Sequence, residues 1–324
     1  MRVFRFLGPI LAVMGFILSG MGESFAAEEE FPTKPIQVII PFQPGSTDVV
    51  LRAFVDKLPE YLGQPVTFIY KPGAAGSLGA AYVANAKPDG YTLLGTSQSS
   101  IIIVPLTTKG LSYTWESFDP VVATSFSAGA LCVRSDARWK NLQELVEEAR
   151  KNPGKISYSS SGTNGVWHIA AEGFCKQAGI TLNHIPALGS APAISALLGG
   201  HVDLNPTSAD IPYPHVKAGT VRALCVFSNK RVKFYPDVPT ASEAGYPVVG
   251  TVNFGLLAPK GTRKEIVQKI YLASKKALEN HEASIKDQLD KVCNEVDFRN
   301  PEEYTVLLKN LNDFTTDMLN KIRK

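Results

Sequence analysis

The sequence predicts an α/β protein made of two doubly wound lobes, and three observations lead to that fold class. Short apolar strands alternate with amphipathic helices along the chain, an order that produces a parallel sheet covered by helices on both faces. The 324 residues exceed the roughly 250–300 that one hydrophobic core usually supports. No long linker, low-complexity tract or internal repeat separates the halves, so we expect the chain to cross between the lobes more than once.

The first residues have the composition of a secretory signal peptide. Arg2 and Arg5 precede an apolar run over residues 6–18, and small residues follow, so cleavage is expected after Ala26. A transmembrane helix would need about 20 apolar residues, and this run is shorter and contains glycine and proline. The interpretation is therefore a signal peptide over residues 1–26 and a mature protein outside the cytoplasm.

The first lobe is predicted to begin with a buried strand over residues 35–42 (PIQVIIPF). A helix follows, with Leu51, Leu58 and Leu62 at helical spacing and Gly63 as its end. Further strands are predicted over 65–70 and 91–96, with a helix over 75–86 between them. The first lobe is expected to contain residues 27–126 and 252–324, and the second lobe residues 127–251.

The second lobe repeats the same order of elements. Strands are predicted over 128–134, 155–160 and 221–228, and helices over 142–150 and 167–177; Asn141 and Glu144 form a capping box for the first helix. The chain returns to the first lobe through a strand over 251–257. Helices over 266–278 and 304–322 follow, the last one opened by Asn300, Pro301 and Glu303.

Glycine- and serine-rich loops follow the predicted strands. They are residues 42–48 (FQPGSTD), 71–79 (KPGAAGSLG), 95–100 (GTSQSS) and 159–168 (SSSGTNGVWH). In open α/β sheets small molecules bind beyond the carboxyl ends of the strands, where unpaired N–H groups at helix starts favour anions. The sequence therefore predicts an anion site in a cleft between the lobes, although each loop on its own could equally serve only as a turn and a helix cap.

Enzyme and metal motifs are absent from the sequence. There is no G-x-S-x-G elbow, H-E-x-x-H, C-x-x-C, P-loop or G-x-G-x-x-G. The five histidines show no metal-site spacing, and the formal net charge of +3 gives no indication of a nucleic-acid partner. We therefore predict no catalytic residue, no metal and no cofactor.

The four cysteines allow two interpretations. Cys132, Cys175, Cys225 and Cys293 are even in number in an exported chain, which would permit disulfides. They are also widely spaced and each lies in an apolar stretch, which favours buried free thiols.

Five ordered motifs carry a family resemblance. They are PFQPGSTD (41–48), KPGAAG (71–76), PDGYTLL (88–94), LGGHVD (198–203) and PDVPT (236–240). With these motifs the chain resembles the substrate-binding proteins of tripartite tricarboxylate transporters, often called Bug-type receptors. The resemblance implies a type II periplasmic binding protein-like fold and a monomeric periplasmic receptor. It would close on a small carboxylate and deliver it to the membrane permease subunits of a tripartite transporter.

The resemblance also places residues on the walls of the cleft. It assigns loop 42–48, residues 74–76 and the Ser97–Gln98 pair to the first lobe, and residues 160–168 to the second. His168 could reach the ligand or could instead bond the neighbouring turn. The candidate ligand-binding residues are Phe42, Gln43, Gly45, Ser46, Thr47, Asp48, Ala74, Ala75, Gly76, Ser97, Gln98, Ser161, Gly162, Thr163, Asn164, Gly165, Trp167, His168 and Leu188.

Three departures from the family pattern affect the expected ligand. Ser46 stands where a second glycine is common, and Val166 and Trp167 stand where a small hydroxyl residue and a compact neighbour are common. The sequence at 187–189 (ALG) replaces a Tyr-Lys-Gly type of stretch. These changes favour an aromatic or longer aliphatic carboxylate over citrate, with Trp167 and Leu188 lining an apolar section of the pocket; alternatively, Trp167 only covers a lobe surface.

Closure is expected to rotate the lobes about the crossing strands, near residues 124–130 and 248–254. Two other classes of protein remain open at this point. A ligand-sensing subunit of a membrane signalling protein would use the same cleft, and a secreted hydrolase is the less favoured alternative.

Overall fold

Residues 31–322 are described by the computed structural model, without the side chains of Ser46 and Ile322. The predicted signal peptide lies outside the described residues. Contacts group the chain from Pro32 onward into one compact unit, so the division into two lobes stays a prediction. No helix within residues 31–322 is both long and apolar enough to cross a bilayer.

Three parallel strands form the amino-terminal part of the main sheet. They are β1 (Ile36–Ile40), β2 (Val66–Tyr70) and β3 (Thr92–Ser97), with β1 in the centre. Helices α1 (Ser46–Val55) and α2 (Leu58–Leu62) connect β1 to β2, and α3 (Ser77–Ala84) connects β2 to β3. The carboxyl ends of the three strands therefore meet at one edge of the sheet.

A 17-residue strand, β4 (Phe118–Arg134), extends through the centre of the sheet. Its first half pairs antiparallel with β9 (Thr251–Pro259) and β10 (Glu295–Arg299), and β9 in turn pairs antiparallel with β3. From Gly129 onward β4 pairs with β7 (Asn205–Ser208) and β8 (Val221–Phe227). One strand thus belongs to two sets of neighbours, and the change occurs near Gly129.

The remaining elements cover the sheet. A small parallel pair, β5 (Ser157–Tyr158) and β6 (Asn183–His184), lies next to β7 through a bridge between Tyr158 and Leu204. The helices around this region are α5 (Leu142–Lys151), α6 (Val166–Ala178), α7 (Ser190–Leu198) and α8 (Tyr213–Lys217). A short helix, α4 (Val104–Thr107), follows β3 after a π-helical turn at Ser99–Ile103, and the long helices α9 (Lys264–Asp290) and α10 (Pro301–Ile322) complete the chain.

The α/β fold class is confirmed, and three element predictions are corrected. The predicted parallel sheet is mixed, because β9 enters antiparallel between β3 and β4. The helix predicted from Leu51 to Leu62 is two helices, because Pro59 has no N–H to continue the first one. The strand predicted over 155–160 is reduced to Ser157–Tyr158, and the following residues form a loop.

Candidate functional site

The three loops after β1, β2 and β3 contact one another. A Cβ placed on Gly76 would lie 2.9 Å from Phe42 Cε1 and 3.0 Å from the Cβ of Ser100. A side chain at position 76 would therefore separate the three loops, and glycine allows their close approach. The predicted first-lobe residues come together at the carboxyl edge of the parallel strands.

Helix α1 begins in this cluster and has no side-chain cap. Its N-cap is Gly45, which has no side chain to accept from the N–H groups of the first turn. Asp48 is turned inward: Oδ1 accepts from the Gly45 N–H at 2.6 Å, and Oδ2 accepts from the Tyr70 hydroxyl at 2.9 Å. Asp48 therefore shapes the loop, and a helix start of this kind favours an anion.

The second loop is held in an uncommon backbone conformation. Ala74 and Ala75 have φ values of 46° and 55°, in the left-handed region that favours glycine. Such strained residues cluster at ligand sites, where the surrounding structure enforces them. Both alanines are exposed next to Gly76, so their backbone groups can face a ligand.

Ser97 is the last residue of β3, Gln98 follows it, and both are buried. The Gln98 side chain is hydrogen-bonded to the backbone of β9. Its Nε2 donates to the Thr251 carbonyl oxygen, and its Oε1 accepts from the Asn253 N–H at 2.8 Å. Both polar atoms of this side chain therefore have protein partners. Gln98 fixes the start of β9 against the first-lobe loops, next to the predicted crossing at 248–254.

In the segment after β5, loop 160–165 leads into α6. Asn164 has a left-handed φ of 59° and Gly162 a φ of 148°. The N-cap of α6 is Gly165, again without a side-chain cap. Ser161 is half-buried and Thr163 is exposed, so the loop presents hydroxyl groups beside a second uncapped helix start.

His168 lies beneath this loop. Its ring is only 4% exposed, and Nδ1 accepts from the Asn164 N–H at 3.0 Å. The ring stacks on His184, with centroids 4.1 Å apart, and burial lowers the pKa of His168. Of the two roles considered for His168, this geometry favours the one that supports the turn.

Trp167 packs against the crossing strand. Its side chain is 5% exposed, and a Cβ placed on Gly129 would lie 2.5 Å from Trp167 Cζ3. The indole therefore covers the point where β4 changes neighbours. Unlike Trp167, Leu188 has a fully exposed side chain. It directly precedes Gly189, the N-cap of α7, which also has no side-chain cap.

The two groups of loops are linked through a small apolar cluster. Ile103 ends the π-helical turn after β3, Ile169 lies in the first turns of α6, and Met318 and Leu319 of α10 belong to the same cluster. Helix α10 therefore connects the segment after β3 with the start of α6.

Two cavities are lined by other parts of the described chain. One of about 740 Å³ includes Lys34 and Tyr82, and one of about 820 Å³ includes Lys260 and Lys264 at the start of α9. None of the candidate ligand-binding residues lines either one. Within residues 31–322 no group of three or more His, Cys, Asp or Glu side chains is placed to hold a metal ion.

Three residues of these clusters are not among the candidate ligand-binding residues, although Ser100 and Gly189 lie in segments that the sequence analysis named. Ser100 contacts Gly76 and bonds Thr96 Oγ1 at 2.7 Å. His184 stacks under loop 160–165, and Gly189 begins α7 beside it. The glycine before an apolar helix was a usable signal for α7; the approach of His184 depends on the pairing of β5 with β6, which no local pattern specifies.

The mixed α/β sheet with uncapped helix starts at the ends of its strands agrees with the class expected from the sequence, a solute-binding protein. The chain matches the tripartite tricarboxylate transporter family receptor (TctC) over residues 50–322, and it belongs to that family. Among curated relatives it is 37% identical to a UPF0065 protein in the gbd 5' region of Cupriavidus necator, covering 86% of this chain and 84% of that protein. It is 34% identical to Protein BugT of Bordetella pertussis, covering 80% and 81%.

Solved structures agree with this membership. A TctC solute-binding protein from Polaromonas superposes with a TM-score of 0.80 at 32% identity, covering 90% of this chain and 99% of that one. MatC from Rhodopseudomonas palustris, solved with bound malate, gives a TM-score of 0.71 at 28% identity, covering 89% and 99%. Another R. palustris protein, solved with adipate, gives 0.72 at 26%, covering 90% and 97%. Similar receptors thus bind carboxylates of different length.

Proposed function

We propose that this chain is an extracytoplasmic receptor that captures a small carboxylate between two lobes and delivers it to a tripartite tricarboxylate-type transporter. The observation that carries the proposal is that two helices begin at glycines of the candidate loops. Helices α1 and α6 start at Gly45 and Gly165 without side-chain caps. Uncapped starts leave donors that a carboxylate can satisfy.

The candidate loops supply neutral donors from both walls. Backbone N–H groups, hydroxyls of Thr47, Ser161 and Thr163 and the Asn164 amide can donate to a carboxylate. Charge-assisted hydrogen bonds are stronger than neutral ones, so a few converging donors support micromolar binding, about 8 kcal/mol. The malate and adipate complexes of similar proteins support a carboxylate as the solute class.

An aromatic or longer aliphatic acid is the ligand we propose for this chain. The exposed Leu188 precedes the α7 start, and it can cover the apolar part of such a ligand when the lobes close. The half-buried Phe42 ring against Gly76 offers a second apolar surface. Trp167 lies close enough to loop 160–165 to report binding by its fluorescence, and a binding acid that leaves this signal unchanged would speak against closure at that wall.

The lobes of the proposal are residues 27–126 with 252–324, and residues 127–251. β4 and β9 cross between them, and Gly129 N–H donates to the Gly250 carbonyl oxygen at 2.9 Å at the crossing. Residues 124–130 and 248–254 are therefore the proposed hinge.

Export through the predicted signal peptide is part of the same proposal. The mature protein is expected to begin at Ala27, to be monomeric and to reside in the periplasm with the permease subunits. Mass spectrometry of the protein released by osmotic shock would test the cleavage, and loss of carboxylate uptake on deletion of this chain would test the transport role. Uptake that persists unchanged would favour a sensing subunit.

The binding site is tested at Thr47, in the first turn of α1. Thr47→Asp places a carboxylate beside the N–H groups of the first turn and should weaken carboxylate binding by about tenfold or more, because like charges repel. Thr47→Asn has nearly the same shape as the aspartate variant without its charge and keeps a donor, so it should lose much less affinity than Thr47→Asp. Calorimetry with malate, adipate, benzoate and citrate gives the comparison.

Two results would contradict the proposal. One is the absence of binding and of thermal stabilisation by every acid tested. The other is equal affinity in Thr47→Asp and Thr47→Asn, which would place the ligand away from α1.

A further inference from the structure

Two stacked histidines lie beneath loop 160–165, on the elements that flank it. His168 is in the first turn of α6, and His184 is in β6, which pairs with β5. Their rings are 4.1 Å apart between centroids and inclined by 17°. Tyr158 of β5 also packs against this pair, with its centroid 4.7 Å from His184 and 6.4 Å from His168. Three neighbouring rings therefore support the loop.

Each histidine is bonded to one end of the loop. The Asn164 N–H donates to His168 Nδ1 at 3.0 Å. At the other end, Ser160 Oγ lies 2.9 Å from His184 Nε2 and 3.2 Å from the Gly162 carbonyl oxygen. A hydroxyl has one proton, so both contacts form together when His184 Nε2–H donates to Oγ and Oγ–H donates to Gly162.

Protonation of His168 is incompatible with this arrangement. Its Nδ1 must present a lone pair to the Asn164 N–H, and in an imidazolium ion both ring nitrogens are donors. The bond also supports a strained residue, because Asn164 has a φ of 59°. A proton on Nδ1 would release Asn164 and, with it, the turn that begins α6.

We propose that His168 and His184 are positioning residues for loop 160–165, and that they hold its binding form only while the His168 ring is neutral, so that acidification weakens carboxylate binding. The inference rests on the proposed function, because it assigns the proton dependence to that same loop. A second imidazolium 4.1 Å away would repel the first, so the two rings act on the loop together.

The surroundings of the pair are consistent with neutral rings. Glu172 Oε1 is 3.9 Å from His168 Nε2 and already accepts the Tyr158 hydroxyl at 2.6 Å; Tyr158 and Cys175 are the other titratable groups nearby. Burial lowers the pKa of His168, and burial together with His168 lowers the pKa of His184 to about 4. A lowered pKa means that the supported loop is stable above about pH 6.5 and is lost as the pH falls toward 4.

Calorimetry with adipate at pH 7.0 and 4.5 tests the coupling. We expect Kd of the unmodified protein to rise more between these two pH values than Kd of His168→Asn, because only the neutral fraction of the free protein is competent to bind. Asparagine places its side-chain oxygen near the position of Nδ1 and does not titrate, so His168→Asn is the reference in which the proton dependence of this position is removed. The exposed His201 provides the matched control, and His201→Asn should keep the pH dependence of the unmodified protein. Titration of adipate itself is common to all three proteins.

A measurement without ligand separates this inference from the proposed function. In NMR spectra of the free protein, the Asn164 amide proton should shift with the same midpoint as the His168 ring, and His168→Asn should abolish that shift. The inference would be overturned if the Asn164 amide shift did not change while the His168 ring titrates. It would also be overturned if Kd changed equally with pH in the unmodified protein and in His168→Asn. If no carboxylate binds but the Asn164 amide proton shifts with the titration of the His168 ring, the receptor proposal is wrong and the role of His168 in holding the loop is supported.

Discussion

Gly129 is the residue at which β4 exchanges one set of partner strands for another. A Cβ at this position would lie 2.5 Å from Trp167 Cζ3 and 3.0 Å from the Gly250 carbonyl oxygen. Gly129→Ala should therefore lower the free energy of unfolding by about 1–3 kcal/mol, the usual effect of overpacking. Urea denaturation of the purified variant measures it.

Gly173→Ala is the matched control for that substitution. Gly173 lies within α6, and its nearest neighbours to a new Cβ, Met318 Sδ and Phe314 Cζ, would be 3.4 Å away. Alanine should be neutral or should stabilise the helix by up to about 1 kcal/mol. Equal losses in the two variants would mean that Trp167 does not restrict the crossing.

The four cysteines are buried and unpaired in the structure, as the sequence favoured. Burial raises the pKa of Cys293 to about 11 and raises the pKa values of Cys132, Cys175 and Cys225 as well. At pH 8 the reactive thiolate is therefore scarce. Ellman's reagent should label the native protein slowly, Cys293 first, and should find four thiols in guanidinium; fewer than four would indicate a disulfide.

Among the helices, α10 begins with a reciprocal side-chain cap. In α10, the Glu303 N–H donates to Asn300 Oδ1 at 2.8 Å, and the Asn300 N–H donates to Glu303 Oε2 at 3.1 Å. Asn300→Ala should lower stability by about 1 kcal/mol because it removes this cap. The exposed Asn310 within α10 is the control, and Asn310→Ala should be neutral or slightly stabilising in thermal unfolding. A neutral Asn300→Ala would show that the cap contributes nothing.

Local signals identified most elements but not how they pair. The Asn141 cap of α5 and the Asn300 cap of α10 were readable from the sequence, because capping depends on residues three apart. The direction of β9 was not readable, since its antiparallel pairing with β3 is a contact between distant segments. The first half of β4 was also missed, because its buried serines and threonine interrupt the apolar pattern of a strand.

For the whole molecule, the proposed hinge predicts a change of shape on binding. Adipate or another binding acid should reduce the radius of gyration in small-angle X-ray scattering, because contacts from both lobes are completed only in the closed form. Thr47→Asp with the same acid should keep the radius of the free protein. A radius that is unchanged while calorimetry reports binding would rule out lobe closure.

The candidate site was predictable as a set of loops and not as a set of side-chain roles. Strand ends followed by glycine and serine located loops 42–48 and 160–165. The engagement of both Gln98 amide atoms by β9 and of His168 by the Asn164 N–H depends on tertiary contacts. The sequence specified which residues are available for binding, whereas folding decides which of them are already occupied.

The position of β9 beside β3 also has a consequence for synthesis of the chain. Leu94 pairs with Leu257, so while the amino-terminal third leaves the ribosome, one border of its sheet has no neighbour. That border stays open until the last third has been made, and exposed strand borders invite association with other chains. Native assembly is therefore a late, long-range event, and the nascent polypeptide remains a suitable client for chaperones until translation is almost complete.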